Sequence, residues 1–513
     1  MPVSRIAAAA GAVAVVASIG IGELLAGLVA SVPSPVDAIG QALIPRFPGA
    51  VTTWAIATFG SANRAVLLSS IVVVALLIGA AAGVLARATP GLPVVLFVLA
   101  GGFGVVASLN QPGASFVPVL LAIAAAVAVG IAVLRASTRY LDDPGRPPPA
   151  GEDGVGTVSR RRVLVSLGGV AIASVAVGSF GRWGTADRVR TAPAEVSLPP
   201  PGETGPTITS AIDASTEIDG LSPILTPTDR FFRIDTALSV PRVDPDTWRL
   251  RITGMVDQEL EFTLDQLVDE PFDEVDATIA CVSNEVGGDL IGTARWLGTP
   301  LVDLLERAGI DPGATQIVGR SVDGWTAGFP TELALQQREA IIAVGMNGEQ
   351  LPERHGFPAR LIIPGLFGYV SATKWLTEIE LTTWEGFDGY WVPRGWSKEG
   401  PIKTASRIDV PRARERVSAG DVVVAGVAWA PTRGISDVEV DVDGEGFRAA
   451  DLVMPLADTT WIQWRTTISL DEGEHELTVR AVDGDGQRQP EGPAPPAPDG
   501  SEGWHRRTVS VAS

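Results

Sequence analysis

The chain has 513 residues, a net charge of −20 and a single cysteine. Up to residue 180, ten arginines stand against six carboxylates, so that part is +4 and the remainder carries −24. So acidic a body excludes nucleic-acid binding, which needs clustered Lys and Arg, and one cysteine excludes an internal disulfide.

Apolar stretches at 6–30, 65–86, 92–109 and 116–134 predict helices able to cross about 30 Å of hydrocarbon. A fifth, at 163–180, is shorter and rich in Ala, Gly and Ser. Between the first two, 33–60 reads as a loop or surface-lying segment. Arg5 before the first stretch, Arg87 between the second and third, and Arg135, Arg139, Arg146, Arg160, Arg161 and Arg162 before the fifth set the orientation. They predict a cytoplasmic N-terminus, five crossings and a body outside the cytoplasm, with Arg46 and Arg64 then outside as well. Ser159-Arg160-Arg161-Arg162-Val163-Leu164 reads either as a twin-arginine export signal or as an ordinary positive-inside anchor. No histidine precedes His355, so paired axial histidines for a haem are missing from these helices.

Residues 185–227 are rich in Pro, Gly, Thr and Ser and read as an extended tether. From 230 to about 396 strands and helices mix: 248–256 alternates like a strand and 301–308, after Thr299-Pro300, reads as a short helix. Beyond 402 short alternating runs at 422–428, 438–442, 460–468 and 476–482 are separated by turns at Asp443-Gly444 and Asp483-Gly484. The predicted fold is multi-domain: transmembrane α-helices over 1–182, a Pro-rich linker over 183–227, an α+β domain over 228–398 and an immunoglobulin-like β-sandwich over 399–513.

Cys281 is either an inert buried residue or a thiolate kept for a metal or for chemistry. Within the α+β domain it shares the sequence with fixed cations (Arg233, Arg360, Lys374) and one imidazole, His355, in a Gly/Pro-rich setting. Arg forks grip phosphate bidentately and Lys adds a point charge. One soft ligand is too few for a structural zinc site. A phosphorylated organic cofactor beside a thiolate-bound metal would use them all.

The segment Met346-Asn347-Gly348-x-x-Leu351-Pro352-x-x-His355-Gly356-Phe357-Pro358-x-Arg360 resembles the sulfite oxidase family of molybdopterin oxidoreductases. The resemblance spans roughly 230–513, including the C-terminal dimerisation domain known in that family. It implies that Cys281 donates the protein's one thiolate to molybdenum. It also implies that Phe232, Arg233, Ser321, His355, Arg360, Ala372, Thr373 and Lys374 hold the pterin and its phosphate. Ser321 rests on spacing from Trp296 alone, and a plain loop serine fits as well. Phe232 is also an ordinary core candidate, and Arg233 and Arg295 could be solvated surface charges; Arg295 binds an anion only if it faces the metal. Glu285 or Asn284 are candidates to orient substrate. Where sulfite-oxidising members carry a tyrosine this chain has Val344, which cannot donate a hydrogen bond.

These readings imply a membrane-anchored oxidoreductase that moves an oxygen atom and two electrons to or from a small-molecule substrate. It would carry molybdopterin and no haem domain, rely on a separate electron donor or acceptor, and allow a homodimer. Rival readings are a sulfoxide- or nitrogen-oxide-type reductase on the same cofactor, and a metal-free envelope binding protein retaining the fold.

Overall fold

The computed structural model describes residues 3–48, 51, 54–55, 58–59, 62–86, 88–89, 91–142, 160–190, 196–198, 200–202, 204–209, 212–413 and 415–512. These form two compact units, one of residues 1–192 with 236–242, the other of 193–235 with 243–513.

The first unit is helical: α1 (Val3–Leu28), α2 (Pro35–Leu43), α3 (Asn63–Leu85), α4 (Leu92–Leu109), α5 (Phe116–Asp142) and α6 (Arg160–Arg190). Among the described residues, all but α2 contain a stretch long and apolar enough to cross a membrane. The buried face of α1 is small: Ala7, Ala10, Ala14 and Ala17 are shielded, while Gly11 meets Gly79 and Gly83, and Gly27 meets Gly181, backbone to backbone. Close backbone approach through small residues is how apolar helices associate where lipid is as apolar as leucine. Val74, Leu77, Leu121 and Ile172 point outward, as lipid-facing residues do.

The segment read as a loop or a surface-lying stretch begins with a helix, α2. Ser34 Oγ accepts the Asp37 N–H at 3.2 Å and Pro35 occupies the first helical position, a strong N-terminal signal. Three charged groups tie the helix ends together: Ser34 Oγ donates to Glu23 at 2.7 Å, and Arg182 lies 3.3 Å from Glu23 and 3.4 Å from Asp37. The helix expected to give way to the tether near 185 continues to Arg190.

The second unit opens with an extended stretch that lies on its own surface. Val196 N donates to Gln350 Oε1 (2.7 Å), Leu198 packs on the core, and Gly202 N donates to Phe272 O (2.6 Å). From Val196 onward the predicted tether is therefore a bound strap.

Strands β1 (Leu250–Gly254), β2 (Leu260–Phe262), β3 (Asp273–Ala280), β4 (Ile291–Pro300), β5 (Gln316–Ser321), β6 (Thr326–Pro330), β7 (Ile341–Met346), β8 (Glu349–Gln350), β9 (Arg360–Ile362) and β10 (Leu376–Thr382) make two sheets. One is ordered β2-β1-β10-β5-β6, with β1 and β10 parallel; the other is β3-β4-β7-β8, with β9 on β7. The predicted helix Leu301–Ala308 buries Leu301, Leu304, Leu305 and Ala308, one stripe at helical spacing. It stops at Gly309, whose φ is +68°. This is an α+β arrangement.

The C-terminal region holds β11 (Ala405–Val410), β12 (Arg416–Ser418), β13 (Gly420–Trp429), β14 (Ile435–Val442), β15 (Arg448–Ala449), β16 (Asp451–Leu452), β17 (Ile462–Leu470), β18 (Gly473–Asp483) and β19 (His505–Ala512). They form sheets β11-β13-β17-β16 and β12-β19-β18-β14-β15 over one apolar core that includes Val424, Trp464, Val440 and Val479. Val422 and Val424 face in while Val423 faces out, the period-2 pattern of a half-buried strand. Asp443 (φ 55°) and Gly444 (φ 79°) both turn left-handed after β14, as a tight turn at an Asp-Gly pair requires.

Candidate functional site

Cys281 is the first residue after β3. β3 and β4 pair as far as Ala280 and Ile291, and residues 281–290 form the loop between them. Cys281 N donates to Leu290 O at 2.9 Å, and its Sγ accepts the Ser283 N–H at 3.4 Å. Burial pushes the thiol pKa up; the Ser283 N–H and the Lys374 ammonium pull it back.

Lys374 brings the charged cluster with it. Its Nζ lies 3.5 Å from Asp235 Oδ2, and Arg233 Nε lies 2.7 Å from the same oxygen. Burial pulls the Lys374 pKa down to about 8 against the opposing pull of Asp235. Arg360, 3% exposed on β9, spends one N–H on His355 O (2.9 Å) and stacks 4.9 Å from the Trp296 ring centre. Desolvation lowers its pKa too. His355 is fully buried, and its Nε2 is 3.0 Å from Thr228 O. That oxygen only accepts, so Nε2 carries the proton and Nδ1 is a bare acceptor. Burial, then Lys374 and Arg360, depress its pKa to about 3 and keep it neutral.

Aromatic rings wall the cluster. Phe231 and Phe232 stack at 5.3 Å, and Phe231 presents edge contacts to Trp296 (5.7 Å) and His355 (5.8 Å). Gly356 follows a single 3-10 turn with φ +117°, and a Cβ there would lie 3.1 Å from Lys374 Cα and 3.2 Å from Arg360 Cβ. Only glycine suits that position.

Three buried polar atoms in this cradle have no protein partner: His355 Nδ1, Arg360 Nε and Thr373 Oγ1. Buried polar atoms are nearly always satisfied, and here an acceptor, a cationic donor and a hydroxyl are left over together. A phosphorylated heterocycle with N–H donors would meet all three. Among the described residues no group of three or more His, Cys, Asp or Glu is arranged to hold a metal ion. The donor set therefore suits a metal whose remaining ligands arrive with a cofactor, Cys281 adding one sulfur.

Phe232, Arg233, His355, Arg360, Thr373 and Lys374 thus come together, and Ala372 is buried in the same apolar cluster as Phe231 and Trp296. Ser321 is buried at the end of β5 opposite Leu376 and accepts from Asp323 N at 3.5 Å. Burial raises the Asp323 carboxyl, with Asp235 adding to the effect. Arg295 stays apart: it alternates with Trp296 on β4 and holds Asp276 (2.8 Å) and Pro206 O (2.8 Å). Asn284 spends its side-chain oxygen on Leu290 N (2.8 Å), and Glu285 is exposed. Val344 is buried in the core. Asp235 and Phe231 were not singled out from sequence; an acid two residues after Arg233 in an extended segment was the available signal for the first.

Residues 237–391 match the family model described as the oxidoreductase molybdopterin binding domain. The mitochondrial sulfite oxidase of Homo sapiens is 30% identical over 340 residues, covering 56% of this chain and 62% of that protein. An NADH nitrate reductase of Nicotiana tabacum is 34% identical over 179 residues, covering 30% of this chain and 20% of that protein. In fold, the chain resembles the crystal structure of the sulfane dehydrogenase SoxCD from Paracoccus pantotrophus. That likeness has a TM-score of 0.50 at 22% identity and covers 57% of this chain and 85% of that one. The chain thus spans less than two thirds of the length of its human relative.

Proposed function

We propose that this chain is a member of the sulfite oxidase family of molybdopterin oxidoreductases and performs two-electron oxygen-atom transfer on a small substrate outside the cytoplasm, held at the membrane by its N-terminal helices; the match to the molybdopterin binding domain and the likeness to human sulfite oxidase support this. The observation that carries this reading is the cradle of orphaned polar atoms at His355, Arg360 and Thr373, close to the one thiol. When bound, the molybdenum cofactor supplies the two-electron redox and oxygen-exchange chemistry.

The chain's own residues do the rest. Cys281 offers a thiolate, favoured by the Lys374 ammonium. Arg233, Arg360 and Lys374 donate to a phosphate, and the Thr373 hydroxyl adds one more bond. His355 Nδ1 accepts a ring N–H because its other nitrogen is committed to Thr228 O. Phe231 and Phe232 wall the site, and Ser321 lies at the end of β5 opposite Leu376. Electrons pass to or from a separate partner protein or carrier.

Extracytoplasmic placement is supported by the arginine distribution and by the five apolar helices among the described residues, an odd number. An immunoglobulin-type C-terminal sandwich is supported by two sheets over one core, and homodimer formation through it follows only the family resemblance. A second reading is reduction of a sulfoxide or nitrogen oxide on the same cofactor, which needs only a different electron partner and redox poise.

The test is molybdenum and pterin analysis of full-length protein purified from a cofactor-competent host, followed by a substrate screen with artificial electron donors and acceptors. Protein that folds with Cys281 intact yet holds neither molybdenum nor pterin would refute the enzyme reading and leave the metal-free binding protein.

A further inference from the structure

We propose that Arg407, in the C-terminal sheets, is a positioning residue for Cys281. The inference rests on Cys281 being the metal's protein ligand, the reading proposed above. The loop 281–290 has no regular structure, and its internal bonds are few: Cys281 N to Leu290 O (2.9 Å), Ser283 N to Cys281 Sγ (3.4 Å), Asn284 N to Cys281 O (3.0 Å), Gly288 N to Glu285 O (2.8 Å) and Leu290 N to the Asn284 side chain (2.8 Å). Two of its carbonyls are taken by the C-terminal region. Arg407 Nη1 donates to Gly288 O at 2.6 Å, and Ser501 Oγ donates to Asn284 O at 2.6 Å. The His505 ring lies directly against Gly287, where any side chain would collide with it. Gly287 also has φ +75°, so the close approach and the backbone turn both require glycine.

Arg407 is itself rigidly held. It is 8% exposed, its Nε pairs with Asp409 at 2.7 Å, and its Nη2 donates to Ser222 Oγ at 2.9 Å. Asp409 in turn accepts the Ser222 N–H at 3.1 Å. A planar guanidinium that satisfies three partners at once fixes direction in a way a flexible point charge does not. Residues that orient a metal ligand without touching the metal tune its affinity and geometry. Here the chain of contacts runs from Asp409 and Ser222 through Arg407 to Gly288, and so to the loop whose first residue is Cys281.

The single cysteine makes a clean reporter. In cofactor-free, full-length protein, R407Q raises the rate of N-ethylmaleimide addition to Cys281 by about fivefold or more, because the loop opens more often. R407K keeps a donor toward Gly288 O but cannot hold all three partners, and restores only part of the protection. The control is R480Q, which breaks a pair with Glu439 (2.6 Å) in the same C-terminal region and leaves the rate unchanged. In cofactor-loaded protein, R407Q also shifts the molybdenum(V) electron paramagnetic resonance signal, and R407K returns it in part. Parent-like labelling in folded R407Q, or equal acceleration in R480Q, overturns the proposal. Should R407Q not fold, S501A carries the test: faster labelling supports the clamp and the parent rate refutes it. The underlying reading fails separately, if cofactor-loaded C281S keeps the parent's molybdenum(V) electron paramagnetic resonance signal and turnover.

Discussion

Asp235 serves two cations at once: its Oδ2 lies 2.7 Å from Arg233 Nε and 3.5 Å from Lys374 Nζ. Burial alone would raise this carboxyl, but the two cations hold it below its ordinary value. With Arg360 beside them, three cations share one carboxylate, an imbalance that a bound phosphate would remove.

Lys374 makes that balance pH-dependent. Its pKa is lowered from 10.5 to about 8 by burial, so the ammonium is lost as pH rises through about 8, and cofactor retention weakens there. Cofactor-free protein behaves oppositely. Between about 8 and 10.5 the unfolded chain binds more protons than the folded one, so its stability rises with pH. Pterin release and thermal melting against pH check both signs. K374M should weaken cofactor binding by about tenfold or more below about pH 8, the loss of a charged hydrogen bond, and by less above it, where the parent's ammonium is itself lost.

The buried His355 and the half-buried His505 predict acid lability. His505 is held near 4 by burial, with Arg507 and Arg407 adding to it, and His355 near 3. Below 6.5 the unfolded chain takes up protons that the folded one refuses, so stability falls as pH drops from 6.5 toward those values. For His505 the ceiling is ~3 kcal/mol by pH 4. H505Q, which keeps an acceptor for Ile408 N, should flatten the melting profile over that window; an unchanged slope would assign the lability elsewhere.

C281S should fold, with melting within about 1 kcal/mol of the parent because the loop's backbone bonds are untouched, and have little or no activity. A hydroxyl cannot replace a soft thiolate. Parent-level turnover in C281S would sink the ligand assignment.

Changing Arg160, Arg161 and Arg162 together to Lys keeps the charge and therefore the positive-inside bias. If the run is a receptor-read export signal, the soluble unit stays in the cytoplasm. Normal placement, read by protease access in intact cells, leaves only charge bias.

The apolar helices and the buried His355–Arg360 segment were legible because both are written in contiguous residues. Ser321 was reached by spacing alone, and β5 does place it beside Leu376 and Asp323. The strap at Val196–Leu198 was not legible, since a Pro- and Gly-rich stretch has the same composition whether free or bound. The helix at Pro35 was hidden by neighbouring prolines, although Ser34, Pro35 and Asp37 spelled its cap. Arg407, Ser501 and His505 lay beyond reach, because their meeting with the 281–290 loop is purely tertiary.

Ser501 meets Asn284 across 217 positions of sequence. At translation rates of about 5–20 residues per second, roughly ten seconds or more separate the synthesis of the two. The cradle residues, from Arg233 to Lys374, all emerge from the ribosome well before that clasp. On the nascent chain, the 281–290 loop therefore waits for its outer clasp until the C-terminal residues have been made.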